Sequence, residues 1–374
     1  MKVLILTCST GEGHNAAARA IAKELGRRGI ACETKNALSF TSKSRQNLVE
    51  KGHSFMYRYA PELYGAGYEY VEQQKSHYLL YLDYARYSLK LAYYIYNHGF
   101  DTAVCVHEFP AFMLTSARRS LKFSLRQYFV ATDYSLAPGL EQTDMDGWFV
   151  PAGFADALAE KGIPRERIFE TGIPVDADCY RPVCKQAARK KLGLRDDIPV
   201  LLIGAGSIGC GPIRELAVKL KALSQDQAVI AVLCGRNKEL LKELSEQVED
   251  GLLIPITFTA KINDWLAAAD VLYTKAGGLS STEAASRRVP MIFMNAVPGL
   301  ETHNLDYFVR HGCGLAADSV DSLCQCVLDL YTDPARMEEI RENEARLFSA
   351  NAVSALADVV TSAQEDAQES RPDE

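Results

Sequence analysis

The chain has 374 residues, 48% of them hydrophobic, and its 41 Lys and Arg against 48 Asp and Glu leave a net charge of −7. That length exceeds what one hydrophobic core usually serves and points to two domains. The mildly acidic balance argues against nonspecific nucleic-acid binding over the whole surface, and ten cysteines scattered without a frame read as reduced thiols of a cytosolic protein.

Lys2-Val3-Leu4-Ile5-Leu6-Thr7-Cys8 is a buried-strand run, too short to cross a bilayer and followed by a glycine turn instead of a cleavage region. After the turn, Ser9-Thr10-Gly11-Glu12-Gly13-His14-Asn15, an Ala-rich helix is expected over residues 15–28. It places Ala17, Ala18, Ile21 and Leu25 on one face. His14 stands at the start of this helix, where the dipole disfavours the imidazolium and keeps a neutral base available near pH 7. A capping or solvent-facing histidine fits the same position.

Residues 57–96 hold twelve of the eighteen tyrosines, interleaved with Arg58, Lys75, Arg86 and Lys90 and preceded by Lys43, Arg45 and Lys51. Aromatics with one wet end, mixed with cations, suit an anionic bilayer surface or an amphiphilic substrate; helix-on-sheet packing accounts for about half of them.

From there apolar runs alternate with helical patterns: strands at 102–107, 127–131 and 147–150, helices at 111–121 and 152–160. This is the rhythm of a parallel sheet covered by helices. The Pro-containing stretch 171–182 reads as an interdomain crossing, after which runs at 199–203, 228–234, 252–258, 269–273 and 290–294 supply a second sheet. The expected architecture is α/β, two facing doubly wound Rossmann-like domains with a cleft between them. Residues 1–175 form the first domain, 176–350 the second, and 351–374 a C-terminal helix with an acidic tail.

Within the second domain, Lys275-Ala276-Gly277-Gly278-Leu279-Ser280-Ser281-Thr282-Glu283-Ala284-Ala285 follows a short apolar strand. Two glycines let the backbone approach an anion, free amides of the first helical turn point at it, and the helix dipole adds attraction. The hydroxyls of Ser280, Ser281 and Thr282 are expected to supply further donors, and Glu283, one turn in, to accept ribose hydroxyls. Gly204-Ala205-Gly206-Ser207-Ile208-Gly209 has dinucleotide-fingerprint spacing, but Pro212 alters the helix entry. Cys234-Gly235-Arg236-Asn237 stands where an acidic residue would end the second strand, so hydride chemistry is disfavoured. Asp144-Met145-Asp146 lacks supporting ligands, and no Cys/His cluster has metal-ligand order, so no structural metal is expected.

The ordered set Thr10-Gly11-Glu12-Gly13-His14, Thr132-Asp133-Tyr134, Thr171-Gly172-Ile173-Pro174, Phe258-Thr259-Ala260-Lys261, Lys275-Ala276-Gly277-Gly278, Glu283-Ala284 and Pro298-Gly299-Leu300-Glu301-Thr302-His303-Asn304 resembles the monogalactosyldiacylglycerol synthase and processive diacylglycerol β-glucosyltransferase family. These GT-B glycosyltransferases are also similar to the transferase that forms lipid II.

The resemblance implies an inverting transfer of a hexose from a UDP-sugar to a lipid hydroxyl, diacylglycerol first, with the protein peripheral on the cytoplasmic face of the membrane. It implies no cofactor beyond the donor substrate; a nucleic-acid partner is the weaker reading on the acidic total and the absence of a binding motif. Gly277, Gly278, Leu279 and Ser280 would hold the diphosphate, Glu283 the ribose, and main-chain groups of Phe258, Thr259 and Ala260 the uracil. Gly206 and Ser207 would close over the phosphates with Arg236 or Asn237 nearby, while Glu301 and Asn304 would contact the sugar. His14 would be the general base, and Gly13, His107, Asp133 and Tyr134 would border the acceptor; His107 could equally be the base, or a histidine bonded to its own loop. Two departures leave specificity open: Leu300 stands where the family commonly has Gln, and Ser135-Leu136-Ala137-Pro138-Gly139 lacks the usual histidine and tryptophan. Other amphiphilic acceptors, epimerase chemistry and a non-catalytic nucleotide-sugar binder are the competing readings.

Overall fold

The computed structural model describes residues 1–369 apart from 75, 122–123, 205, 207–210, 249–250 and 295, and side chains apart also from those of 53–54, 57–58 and 363–369. The chain divides into two compact units. One comprises Met1–Ala177, Pro298–Leu300 and Ala350–Glu374; the other comprises Asp178–Val297 and Glu301–Ser349.

In the first unit, strands β1 (Lys2–Thr7), β2 (Ala31–Asn36), β3 (Thr102–Cys105), β4 (Arg126–Val130), β5 (Gly147–Phe149) and β6 (Ile168–Phe169) make one sheet in the order β2-β1-β3-β4-β5-β6. Every pair is parallel. A parallel strand covered on both faces must be apolar throughout, which is why Val3 to Leu6 are completely buried. Helices α1 (Glu12–Arg27), α2 (Lys43–Tyr59), α3 (Pro61–Glu72), α4 (Tyr78–Ala85), α5 (Ser88–His98), α6 (Glu108–Leu121) and α7 (Ala155–Glu160) accompany the sheet. The core joins Leu4, Leu6, Cys105 and Phe129 to Phe112, Leu114 and Trp148. Side chains of this size contribute on the order of 1.5–3 kcal/mol apiece on burial.

His77 ties the turn between α3 and α4 to the loop after β4. Its Nδ1 lies 2.7 Å from Glu141 Oε1, and its Nε2 donates to the Val71 carbonyl at 2.9 Å. Burial works to raise the Glu141 pKa, and the bond to His77 outweighs it, so the carboxyl titrates below its ordinary range. Gly139, in the same loop at φ +88°, sits where a Cβ would come within 2.8 Å of the Phe112 ring.

The second unit repeats the plan. Strands β7 (Val200–Gly204), β8 (Val229–Gly235), β9 (Leu253–Thr257), β10 (Val271–Thr274), β11 (Met291–Phe293) and β12 (Gly314–Ala316) form a parallel sheet in the order β12-β11-β10-β7-β8-β9. Its helices are α8 (Lys185–Leu192), α9 (Ile213–Ser224), α10 (Lys238–Ser245), α11 (Ile262–Ala268), α12 (Gly278–Ser286), α13 (Leu300–Arg310), α14 (Val320–Thr332) and α15 (Pro334–Leu347). Ile203, Ile230, Val232, Tyr273 and Ile292 meet Leu216, Leu220, Leu323 and Leu330 in its core. The last helix, α16 (Ala352–Glu369), returns to the first unit, where Arg28 donates to Asp358 Oδ1 at 2.6 Å and to Ser354 Oγ at 2.8 Å.

Both sheets reverse direction of growth once. In the first the reversal lies between β1 and β3, in the second between β7 and β10. Ligands of open α/β sheets settle beyond the carboxyl ends of strands at such reversals.

Candidate functional site

Beyond β1 and β3 in the first unit, helix α1 begins at Glu12 with Gly11 as N-cap, three residues earlier than the sequence pattern indicates. His14 therefore lies inside the first turn, half-buried. Its Nδ1 is 2.9 Å from the Val106 carbonyl and 3.0 Å from Thr132 Oγ1. A carbonyl can only accept, so Nδ1 carries the hydrogen of the neutral ring and Nε2 keeps its lone pair. Thr132 in turn donates to Asp133 Oδ2 at 3.3 Å.

The ring of His107 lies beside this histidine, the two centroids 4.7 Å apart. His107 is buried, with Nδ1 2.9 Å from Glu108 Oε2. Burial opposes charge on His107, and Cys8 together with the Glu108 carboxylate outweighs it, so the imidazole titrates well above its ordinary value. For Glu108, burial is again the opposing effect and His107 the stronger one. The carboxyl titrates below its ordinary range, as also suits a carboxylate in the first turn of α6. Burial pushes the Cys8 thiol up. Of the other residues expected here, Gly13 is in the first turn of α1, Asp133 is half-buried and Tyr134 is 3% exposed. Val106, Thr132 and Glu108 are the contributors that residue-type reasoning passed over.

In the second unit, Gly204 and Thr274 are paired neighbours at the ends of β7 and β10. Gly277 caps α12 in an extended conformation and Gly278 opens the helix. A Cβ on Gly277 would stand 3.2 Å from Ser280 Oγ, so a side chain would crowd the turn. The three hydroxyls do not all serve as donors at this end. Ser281 and Thr282 are 0% and 1% exposed and face inward, Thr282 bonding back to the Gly278 carbonyl at 2.7 Å, because a helix of this spacing turns two of three successive residues into the core. Ser280 stays at the accessible end, and Glu283 is half-buried one turn further on.

Glu301 and Asn304 hold the turn from behind. Lys275 Nζ is 3.2 Å from Glu301 Oε1, the Val297 amide donates to Glu301 Oε2 at 2.8 Å, and Asn304 Nδ2 donates to the Ala276 carbonyl at 2.8 Å. Glu301 and Asn304 are 7% and 0% exposed. At the ends of β8 and β9 the guanidinium of Arg236 lies over the Phe258 ring, 5.2 Å from its centroid, and Phe258 is 54% exposed. Asn237 Oδ1 accepts from the Leu240 amide and caps α10, while Thr259 Oγ1 accepts from the Lys261 amide. Ala260 and Gly206 are exposed, the latter at φ +70°, and Ser207 lies outside the described residues. Among the described residues no group of three or more His, Cys, Asp or Glu side chains is placed to hold a metal ion.

Residues 14–175 match the Monogalactosyldiacylglycerol (MGDG) synthase family, and residues 200–358 match the Glycosyltransferase family 28 C-terminal domain. The two matches together make the chain a glycosyltransferase. A processive diacylglycerol β-glucosyltransferase of Bacillus cytotoxicus is 26% identical over 369 residues, covering 96% of this chain and 93% of that one. In fold, the chain is similar to MurG of Acinetobacter baumannii (TM-score 0.61, 15% identity, 96% of this chain and 99% of that one). It is also similar to the UDP-GlcNAc 2-epimerase of Neisseria meningitidis bound to UDP-GlcNAc (TM-score 0.59, 14% identity, 97% and 100%). The fold is thus shared with an epimerase.

This glycosyltransferase also carries an apolar surface on its first unit. Tyr81 and Tyr84 are buried, Tyr84 stacked on Phe109 with centroids 3.7 Å apart, whereas Tyr59, Tyr70, Tyr78, Tyr93 and Tyr96 are exposed. Leu48, Phe55, Leu63, Leu79, Leu82 and Leu89 are exposed beside them in sequence, so helices α2 to α5 hold most of the exposed large apolar side chains among the described residues. No helix among the described residues is long and apolar enough to cross a membrane.

Proposed function

We propose that this glycosyltransferase moves a hexose from UDP-hexose to a hydroxyl of diacylglycerol, inverting the anomeric centre, while resting on the cytoplasmic face of the membrane. The observation that carries the reading is the hydrogen bonding of His14: with Nδ1 bonded to the Val106 carbonyl, the base is assigned to Nε2. The acceptor hydroxyl gives its proton to Nε2, and its oxygen forms a bond to the anomeric carbon from the face opposite the diphosphate. The bond from that carbon to the phosphate oxygen breaks and UDP departs with the electron pair. Charge developing on the diphosphate is met by the amides and dipole at the start of α12, in the turn Gly277, Gly278, Leu279 and Ser280. Glu283 takes the ribose, the Arg236–Phe258 stack and main-chain groups at Thr259 and Ala260 take the uracil, and Gly206 closes over the phosphates. Glu301 and Asn304 shape the sugar end of the site by fixing Lys275 and Ala276. Asp133 and Gly13 border the acceptor.

The name of the Bacillus cytotoxicus relative supports the lipid acceptor and the glucosyl donor. The exposed leucines and tyrosines of α2 to α5, with Arg86 and Lys90 among them, support an anionic membrane surface. Purified protein incubated with UDP-glucose or UDP-galactose and diacylglycerol vesicles should release UDP and form glycolipid with one donor, also in the presence of EDTA. His14→Ala should abolish transfer while leaving UDP affinity within about twofold. Glycolipid formation by His14→Ala, or none by the wild type despite UDP binding, would overturn the reading.

A further inference from the structure

We infer that Tyr68 is a positioning residue for the donor: its ring seats the Pro298-Gly299 turn from which α13 starts, and so steadies the helix that holds the Gly277-Gly278 turn from behind. The inference rests on the reading of that glycine turn as the diphosphate cradle. It starts from an excursion of the chain. Val297 and Glu301 belong to the second unit, whereas Pro298, Gly299 and Leu300 between them group with the first.

The excursion is received by α3. Gly65 is buried, and a Cβ there would stand 2.4 Å from Pro298 Cβ and 2.9 Å from the Pro298 carbonyl oxygen. Gly299, at φ +89°, is as close to Tyr68: a Cβ would come within 2.9 Å of Tyr68 Cδ1 and 3.2 Å of its Cβ and Cγ. Spaced three apart, Gly65 and Tyr68 fall on one side of the helix, which offers bare backbone to Pro298 and an aromatic side chain to Gly299. Two glycines make the fit possible. A side chain at Gly65 would overlap Pro298, and one at Gly299 would meet both the Tyr68 ring and a left-handed backbone that side chains rarely adopt. Leu63 and Tyr70, on the opposite side of α3, are 63% and 68% exposed. The helix that seats this turn is therefore also one of those proposed to face the membrane.

The seating is passed on through the chain itself. Leu300 opens α13, and the next residue, Glu301, accepts from the Val297 amide at 2.8 Å and lies 3.2 Å from Lys275 Nζ. One turn on, Asn304 Nδ2 donates to the Ala276 carbonyl at 2.8 Å. Lys275 and Ala276 lead directly into Gly277, the N-cap of α12. A displacement of Pro298-Gly299 thus reaches the amides of the glycine turn through covalent and hydrogen-bonded steps without a gap. Tyr68 is half-buried, and its hydroxyl lies 3.5 Å from Ser135 Oγ.

The test is the affinity for UDP and for UDP-glucose by isothermal titration, with the melting temperature followed alongside. Tyr68→Ala should weaken both ligands in parallel, by on the order of tenfold, because the turn moves while no contact to the sugar is lost. Gly299→Ala, which breaks the same contact from the other side, should show the same parallel loss. Tyr68→Phe keeps the ring and should restore both affinities to within about twofold of wild type. The loss should also merge with that of Glu301→Gln, which acts further along the same tie: Tyr68→Ala/Glu301→Gln should bind UDP within about twofold of the weaker single variant. A merely structural role for Tyr68 would lower the melting temperature and leave the affinities of the folded protein in place. Wild-type UDP affinity in folded Tyr68→Ala or Gly299→Ala would overturn the proposal, as would losses that multiply in the double variant or a Tyr68→Phe protein as weak as Tyr68→Ala. If Gly278→Val leaves UDP binding unchanged, the reading of the cradle has failed and the proposal with it; if Gly278→Val abolishes binding and Tyr68→Ala does not alter it, only the role of Tyr68 has.

Discussion

Replacing Glu301 by Gln removes one charge from a nearly closed ion pair. The side chains of Lys275 and Glu301 are 11% and 8% exposed, and the pair also receives the Val297 amide. Glutamine keeps an acceptor for that amide but leaves the Lys275 ammonium without this carboxylate. Removing one partner of a buried pair costs about 3–5 kcal/mol; the residual access of both side chains places the expected loss near the lower end, about 3 kcal/mol. For a domain of this size each kcal/mol lowers the melting temperature by about 2–4 °C, so the second unit should melt about 6–12 °C earlier in scanning calorimetry. The same protein should bind UDP and UDP-glucose with parallel losses in isothermal titration, because the residue acts by holding the glycine turn. Lys275→Met/Glu301→Leu should recover much of the melting temperature, since an apolar pair of similar volume replaces the ions. A wild-type melting temperature in Glu301→Gln would refute the scaffolding argument. A loss confined to UDP-glucose, with UDP unaffected, would instead make Glu301 a direct sugar contact.

Replacing Leu79, Tyr93 and Tyr96 by Glu should weaken sedimentation with anionic vesicles by roughly tenfold per residue, at unchanged UDP affinity, since each buries about 1.5–3 kcal/mol of apolar surface on docking. Equal sedimentation of variant and wild type would exclude this face as the membrane contact. Glu344, completely buried and with neither carboxylate oxygen hydrogen-bonded, has its pKa pushed well above the ordinary value by burial. A carboxyl whose folded pKa is raised stabilises the fold below its unfolded pKa, near 4.3, and that stability drains away as pH rises toward the folded pKa. Glu344→Gln should therefore melt higher than wild type at pH 8, the gap closing as pH falls toward 4; a gap independent of pH would contradict it.

Central strands were legible because parallel strands covered on both faces are apolar end to end, as in Lys2–Thr7 and Val200–Gly204. The edges were not. Ala31–Asn36 is a half-exposed, largely polar edge strand, and Ile168–Phe169 and Gly314–Ala316 are too short to carry a period. His14 and the Gly277-Gly278 turn announce themselves by residue type. The partners that define the state of His14 do not: a main-chain carbonyl at Val106 has no residue signature, and Thr132 and Glu108 reach the histidine only because parallel pairing sets the ends of β1, β3 and β4 side by side. Ser281 and Thr282 looked equivalent to Ser280 in the sequence, and helical geometry separated them.

The tautomer of His14 is dictated by a peptide oxygen, and the proposed cradle at Gly277-Gly278 by peptide nitrogens. Mutation does not change which atoms a backbone offers; it changes only where they lie. Drift in side chains can therefore redraw the exposed helices α2 to α5 and the rim around the site while the proposed base and the proposed anion cradle survive intact, inherited as strand geometry more than as spelling. Evolution in such an enzyme has most freedom in what it glycosylates and least in how.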